Sequence, residues 1–489
     1  MRDILICVAL FAVALIVRLV MIGNPELHID EYHSINYARQ SLATLFALDR
    51  DTDIHPPMFF VTVKAWAALF GEERLAMRAL PAVLSALAVP LFYVILRQFI
   101  DWKTAALAGL LFCVAPMQVF YGRFIRMYPL LTLFYLIAFF CYLKSRKEVS
   151  ALLDPRGATP WLVALGGLSL TLAFMTHYTA AFSFVCFALI AVVQYLRGRP
   201  GEFWVIVAML AIGTLLAVPQ MLHMLSQMGS ADMSWMKPTT PRIFYVMSMG
   251  AYPFAFYLKP VMAAVMLWGA WQLWQHDRDM AIRIGIFMLA GPAVAAVVGI
   301  WHPIYLVRTI QVFTIFSSLL MALAVMALIA RPAVAGVLAA VCLFANVQAL
   351  APRYPIEREA NSFETHAALV AEIDAARDRP FVFFNLHREA RYRRADWFAD
   401  AVKLRHDDRL AHMAEIEAAA AACFGASSAD CRSVVIFAET TPLYQKAAGA
   451  EWEAFLEDLT ARYPVAYDVA DPRLRVVVLA EDGRFPVEG

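Results

Sequence analysis

The sequence predicts a polytopic α-helical membrane protein with about eleven transmembrane helices, amphipathic surface helices in the first outer loop, and a small C-terminal α/β domain on the outer face. Three observations carry that expectation. Of 489 residues, 61% are hydrophobic and 17% charged, with a mean hydropathy of +0.62, a composition far from that of a soluble globular protein. Apolar runs of membrane-crossing length recur up to position 350, and from Ala351 onward the chain turns charged and alanine-rich. The formal net charge of +1 supplies no field for a polyanion, so a nucleic-acid partner is not expected.

A span needs about 20 apolar residues, and candidates fall at 4–22, 79–97, 104–121, 128–143, 161–176, 179–196, 203–222, 260–275, 283–300, 309–329 and 333–350. The first has the length of a signal peptide, but no small-residue cleavage pattern follows it. It reads as a retained helix. Residues 161–196 are too long for one helix, and His177-Tyr178 marks the break, which puts His177 at a membrane surface. Lys103, Lys144, Arg146, Lys147, Arg156, Arg197, Arg199, Arg278, Arg283 and Arg331 all fall on one side if the N-terminus is cytoplasmic. Residues 23–78, 122–127, 177–178, 223–259, 301–308 and those after 350 are then extracytoplasmic.

The first outer loop opens with Asp30-Glu31, followed by Ile35, Ala38, Leu42, Leu45 and Phe46 at helical spacing. Such a helix lies along the membrane surface, with Asp30 as its N-cap. A second surface element starts at His55-Pro56-Pro57 and continues through the short apolar run 58–70. In the C-terminal region, which spans 351–489, strands are expected at 381–385, 433–438 and 475–479, and helices at 363–377, 413–422 and 442–463. Cys7, Cys113, Cys141, Cys186 and Cys342 lie in apolar runs and read as packing side chains. Cys423 and Cys431 instead bracket a Gly, Ala and Ser-rich stretch that closes as a disulfide loop if it faces an oxidising compartment.

At the outer face no ATP or nucleotide sugar is available, whereas lipid-linked donors project their head groups there. Asp30 is placed to deprotonate an acceptor hydroxyl. Arg123 and Arg126, in the stretch from Tyr121 to Tyr128, and Arg308, at the end of the loop 301–308, are placed to hold a phosphate, for which the planar guanidinium is suited. Each residue also has a plainer reading. Boundary arginines snorkel to head groups, His55 precedes a proline turn, and His177 breaks an apolar run. No zinc spacing is convincing, but His28, Asp30, Glu31 and His33 are close enough to bind a divalent ion. No other cofactor is implied.

The order Asp30-Glu31, His55-Pro56-Pro57, Phe70-Gly71 with Arg78 and Pro81, then Tyr121 through Tyr128, resembles the GT-C superfamily of membrane glycosyltransferases. The branch it looks most like holds protein O-mannosyltransferases and the aminoarabinose transferases of lipid A. The resemblance covers residues 1 to about 350, which would be the catalytic domain. It implies a bacterial plasma-membrane enzyme that moves a sugar from a polyprenyl-phosphate carrier to an acceptor hydroxyl, usually with inversion. By that resemblance Asp30 is the general base, Glu31 positions the donor or a cation, Arg126 and Arg308 meet the donor phosphate, and His55 lines the cavity. Arg123 falls where the family pattern is variable. Tyr128, His177 and Tyr178 complete the outer-face set. The acceptor is left open among protein, lipid A, another lipid-linked saccharide and a cell-surface polymer. Two other readings stand beside this one, a transporter or lipid flippase and a membrane anchor for a partner-binding domain. Against the first are the lack of repeated halves and the scarcity of ionisable residues mid-span.

Overall fold

A computed structural model of the protein describes residues 1–25, 27–47, 55–146, 158–227, 236–354, 382–386, 409–424, 433–439, 442–470 and 474–480. The chain divides into two compact units, one of Met1–Pro25 with Tyr37–Ile356, the other of Glu26–Asn36 with Glu357–Gly489. The short segment carrying Asp30-Glu31 therefore groups with the C-terminal region.

The helices in chain order begin with α1 (Arg2–Leu19), α2 (Ile29–Arg39), α3 (Leu42–Phe46), α4 (Met58–Phe70), α5 (Arg74–Leu96), α6 (Trp102–Cys113) and α7 (Pro116–Tyr121). Next come α8 (Tyr128–Ser145), α9 (Ala158–Phe174), α10 (Ala181–Leu196), α11 (Pro200–Gln227) and α12 (Pro241–Ala251). The first unit ends with α13 (Lys259–His276), α14 (Arg278–Val298), α15 (Val307–Ile310), α16 (Ser317–Met326) and α17 (Pro332–Leu350).

Every apolar run expected to span is helical, but the expected count of eleven is not reached. Among the described residues, seven elements are long and apolar enough to cross a membrane, or eight if α12 and Phe256–His276, bent by 88°, act as one span. The others fall short for local reasons. Helix α1 carries Arg2, Asp3 and Arg18, the run 104–121 is broken where Pro116 opens α7, and α9 has 17 residues. The single surface helix expected after Asp30 is likewise two. Lys64 of α4 donates to the carbonyls of Ala38 at 3.3 Å and Gln40 at 3.0 Å where α2 ends, and Ser41 Oγ then accepts the Thr44 N–H at 3.1 Å to start α3.

Aromatic rings fill the middle of the first unit. Phe92 meets Phe112 at 4.8 Å between centroids, and Phe287 meets both Phe139 and Phe187 at 5.2 Å, edge to face. At one end of α10, α11 and α14, Arg197 and Arg199 pair with Asp279, while the fully buried Arg283 binds Glu202 at 2.7 Å and the Tyr142 hydroxyl at 2.8 Å. Buried charge survives there because it is paired and hydrogen-bonded. Helices α13 and α16 touch backbone to backbone. A Cβ on Gly269 would stand 1.8 Å from the Leu320 carbonyl oxygen.

The second unit holds a four-stranded sheet of β1 (Val382–Leu386), β2 (Ser433–Glu439), β3 (Val465–Ala470) and β4 (Leu474–Ala480) in the order β1-β2-β4-β3. Strand β1 runs parallel to β2, and β4 is antiparallel to both β2 and β3. Helices α18 (Arg409–Cys423) and α19 (Pro442–Arg462) cover the sheet through Ile416, Trp452, Leu456 and Leu459 against Val434, Ile436 and Val477. Strand β3 was not expected; Val465-Ala-Tyr-Asp-Val-Ala470 has too short an alternation to stand out, and pairing with the largely apolar β4 decides it. The helix expected at 363–377 lies outside the described residues. Cys423 is disulfide-bonded and the five cysteines of the apolar runs are free, while Cys431 lies outside the described residues.

Gly269→Val is expected to lower stability by about 1–3 kcal/mol through overpacking against α16. Gly336→Ala, where no atom lies within 4 Å of the new methyl, should be neutral or stabilising. Thermal unfolding in detergent compares the two. Mass spectrometry of unreduced protein is expected to find the Cys423 and Cys431 peptides linked.

Candidate functional site

Helix α7 ends at Tyr121, and residues 122–127 make a tight turn into α8. The turn needs Gly122, because a Cβ there would lie 2.8 Å from both Ser85 Cβ and the Gln118 carbonyl oxygen. It sends its two arginines in different directions.

Arg123 turns toward α1. Its Nη1 donates to the carbonyls of Arg18, at 2.9 Å, and Val20, and its Nη2 to that of Met21 at 3.2 Å. Met21 has φ +54°, the left-handed conformation that often closes a helix. The guanidinium also lies 4.1 Å from the centre of the Tyr354 ring. Burial pulls the Arg123 guanidinium below its ordinary pKa and pushes the Tyr354 hydroxyl above its own, with Arg123 opposing the latter. Arg78 Nη1 donates to the carbonyls of Ile22 at 2.9 Å and Pro25 at 2.7 Å, and Arg74 to that of Gly23 at 3.1 Å. Arg123, Arg78 and Arg74 together close the end of α1. Arg123, of which a phosphate-holding part is expected, thus binds three backbone carbonyls at the end of α1.

Arg126 turns the other way. It is 4% exposed, and its Nη2 lies 3.2 Å from His55 Nε2. Arginine can only donate, so this nitrogen of His55 accepts. The His55 ring stands edge-on to His177 at 5.5 Å, His177 lies 5.7 Å from the Tyr128 ring, and Tyr128 lies 4.5 Å from Tyr121. Three distant stretches meet because the first N–H of α4, on Met58, bonds the Met175 carbonyl at 2.9 Å, which draws the His-Pro-Pro turn onto the break between α9 and α10. His177 is oriented by Thr179, whose N–H and hydroxyl both meet its Nδ1, at 3.1 and 2.7 Å. That leaves Nε2 as the donor of the uncharged ring. Tyr178 turns aside to α11, where its hydroxyl bonds Gln220 and Gln227. Thr179 was missed from the sequence. A Thr two residues after a His is a local bonding signal that could have found it.

Arg308 sits part-buried on α15, the single turn before α16. In the second unit, Asp30 lies inside α2 instead of ahead of it as the expected N-cap. His28 takes the cap, its Nδ1 accepting the Asp30 N–H at 3.2 Å, while Glu31 Oε2 accepts the His28 N–H at 2.8 Å. This is a capping box with histidine in the place of serine. Glu31 is 0% exposed and held there, and Asp30 stands half-buried beside it. Among the described residues no group of three His, Cys, Asp or Glu is placed to hold a metal ion.

Residues 8–228 match the family model for dolichyl-phosphate-mannose-protein mannosyltransferase. The crystal structure of ArnT from Cupriavidus metallidurans in the apo state covers 99% of this chain and 99% of its own, at 14% identity and a TM-score of 0.57. The chain therefore shares the fold of ArnT, and its residues 8–228 are similar to the mannosyltransferase family. ArnT bound to undecaprenyl phosphate is similar to this chain at 15% identity, with the same 99% coverage of both chains and a TM-score of 0.57. The Archaeoglobus fulgidus oligosaccharyltransferase in its apo form matches at 12% identity over 88% of this chain and 69% of its own, with a TM-score of 0.53. No curated protein sequence matches the chain. The matched segment 8–228 contains every expected outer-face site residue except Arg308.

Arg123→Ala is expected to cost roughly 2 kcal/mol of stability by orphaning buried carbonyls at the end of α1. Its signature is a lowered unfolding temperature with lipid-phosphate binding per folded molecule unchanged.

Proposed function

We propose that this protein is a GT-C glycosyltransferase that transfers a sugar from a polyprenyl-phosphate-linked donor to an acceptor hydroxyl at the outer face of a bacterial plasma membrane. The observation that carries the reading is the Arg126 cluster, in which a buried guanidinium, two histidines and two tyrosines from separate stretches meet at one helix-end level. The family model and the similarity to ArnT bound to undecaprenyl phosphate support the carrier class. The N-terminus is cytoplasmic and the C-terminal region extracytoplasmic in this reading, which rests on the short-loop arginines and agrees with the disulfide at Cys423.

The chemistry follows from the groups. Arg126 donates to the carrier phosphate, aided by Arg308, and stabilises the charge that the phosphate keeps when the anomeric carbon–oxygen bond breaks. The bond electrons leave with the phosphate oxygen, so no acid is needed on that side. Asp30 takes the acceptor proton as the hydroxyl oxygen bonds the anomeric carbon from the opposite face, which inverts the configuration, and it later releases that proton to water. Glu31, tied to the His28 N–H, fixes the helix start that carries Asp30. The donor hydrogen of His177 and the hydroxyls of Tyr128 and Tyr121 suit the polar head of the donor. A transporter or flippase would need lipid-phosphate binding but no proton acceptor.

Asp30→Asn is expected to lower turnover by at least about 100-fold while leaving folding and carrier binding intact. Near wild-type turnover would remove Asp30 from the mechanism. Arg126→Ala is expected to weaken undecaprenyl phosphate binding about tenfold or more with little loss of thermal stability. Radiolabelled sugar transfer and lipid binding in nanodiscs measure the two effects separately, and a flippase would keep binding and show no transfer.

A further inference from the structure

The end of α11 carries a polar face that no part of the site described so far uses. Gln220, His223 and Gln227 are three and four residues apart, so they share one side of the helix. Gln220 Nε2 donates to the Tyr178 hydroxyl at 2.7 Å, and that hydroxyl donates to Gln227 Oε1 at 3.2 Å. His223 stands between these two glutamines. It is 6% exposed, and among the described residues neither of its ring nitrogens has a hydrogen-bond partner. Buried polar groups are almost always paired, and phenylalanine or leucine would fill such a place at the end of an apolar helix without that cost. An imidazole kept there unpaired implies something that arrives to pair it.

The position of this face says what arrives. Tyr178, which it grips, follows His177 directly, and His177 packs against His55 and Tyr128 in the cluster that holds Arg126. Gln220, Gln227 and Tyr178 carry no fixed charge, and an uncharged imidazole offers one donor and one acceptor. That set matches a hydroxyl, which also gives one hydrogen and takes others, better than it matches a phosphate. Arg126 has the opposite character.

Resting on the reading of the chain as a polyprenyl-phosphate-sugar transferase, we propose that this face of α11 is the subsite for the donor's sugar ring, with His223 bonding one of its hydroxyls. The phosphate and the sugar are thus read by different elements, Arg126 from the turn after α7 and His223 from α11. His223 binds substrate and takes no part in proton transfer.

The test uses full-length protein in nanodiscs with bare undecaprenyl phosphate and with undecaprenyl phosphate carrying mannose, glucose, galactose or aminoarabinose. Whichever sugar-bearing lipid the wild type binds and transfers becomes the probe. His223→Phe is expected to weaken that lipid about tenfold, the effect of one lost hydrogen bond and its orphaned partner, and to leave bare undecaprenyl phosphate within about twofold. His223→Asn keeps a donor and an acceptor and should recover part of the loss, which makes it the deciding variant if the phenylalanine form does not fold. Equal weakening of both lipids, or no change in either, overturns the subsite while wild-type transfer stands. A wild type that binds none of the sugar-bearing lipids overturns the donor reading and the subsite with it.

Discussion

The end of the first helix is the constraint from which the rest of the membrane unit follows. A helix that stops inside a low-dielectric bundle leaves its last carbonyls without partners, and each one left unpaired is costly. Here Arg123, Arg78 and Arg74 supply the missing donors to the backbone between Arg18 and Pro25. Arg18, fully buried on the last turn, reaches sideways to Ser85 at 2.7 Å, and Ser85 donates to the Gln118 carbonyl at 3.0 Å. Gln118 in turn meets Gln311 at 2.7 Å. One polar chain thus links α1, α5, α7 and the segment just after α15. It fixes the turn 122–127 from which Arg126 projects.

The same chain separates two arginines that look alike on paper. Arg123 and Arg126 are three residues apart in a turn, flanked by the same aromatic residues. Gly122 presses the turn against Ser85, which commits the first arginine to α1 and leaves the second to face the other way. The two guanidinium groups are chemically identical. What distinguishes them is whether backbone carbonyls or a histidine ring stand opposite.

The cluster around Arg126 is held by backbone as much as by side chains. The N–H of Met58 binds the carbonyl of Met175, so the proline turn before α4 and the break between α9 and α10 move as one piece. His55 and His177 meet because their backbones are tied there. In the second unit, the reciprocal bonds of His28 and Glu31 do the same for the start of α2.

Much of this was legible in the sequence, because hydrophobic runs report burial directly. The apolar runs located the long helices of the first unit, the shift in composition after 350 preceded the sheet-bearing region, and among the residues singled out at the outer face His55, Arg126 and His177 stand together. Three things only the tertiary structure decided. The number of full spans depends on where a helix is broken or charged, as at Pro116 and Arg18, and on whether a neighbour accommodates it. Strand β3 exists because β4 lies beside it. The different surroundings of Arg123 and Arg126, and the burial of His223 with no partner among the described residues, depend on which groups from distant stretches stand opposite each side chain. Local sequence encodes propensity and polarity; partnership across more than a hundred residues is written only in the packing.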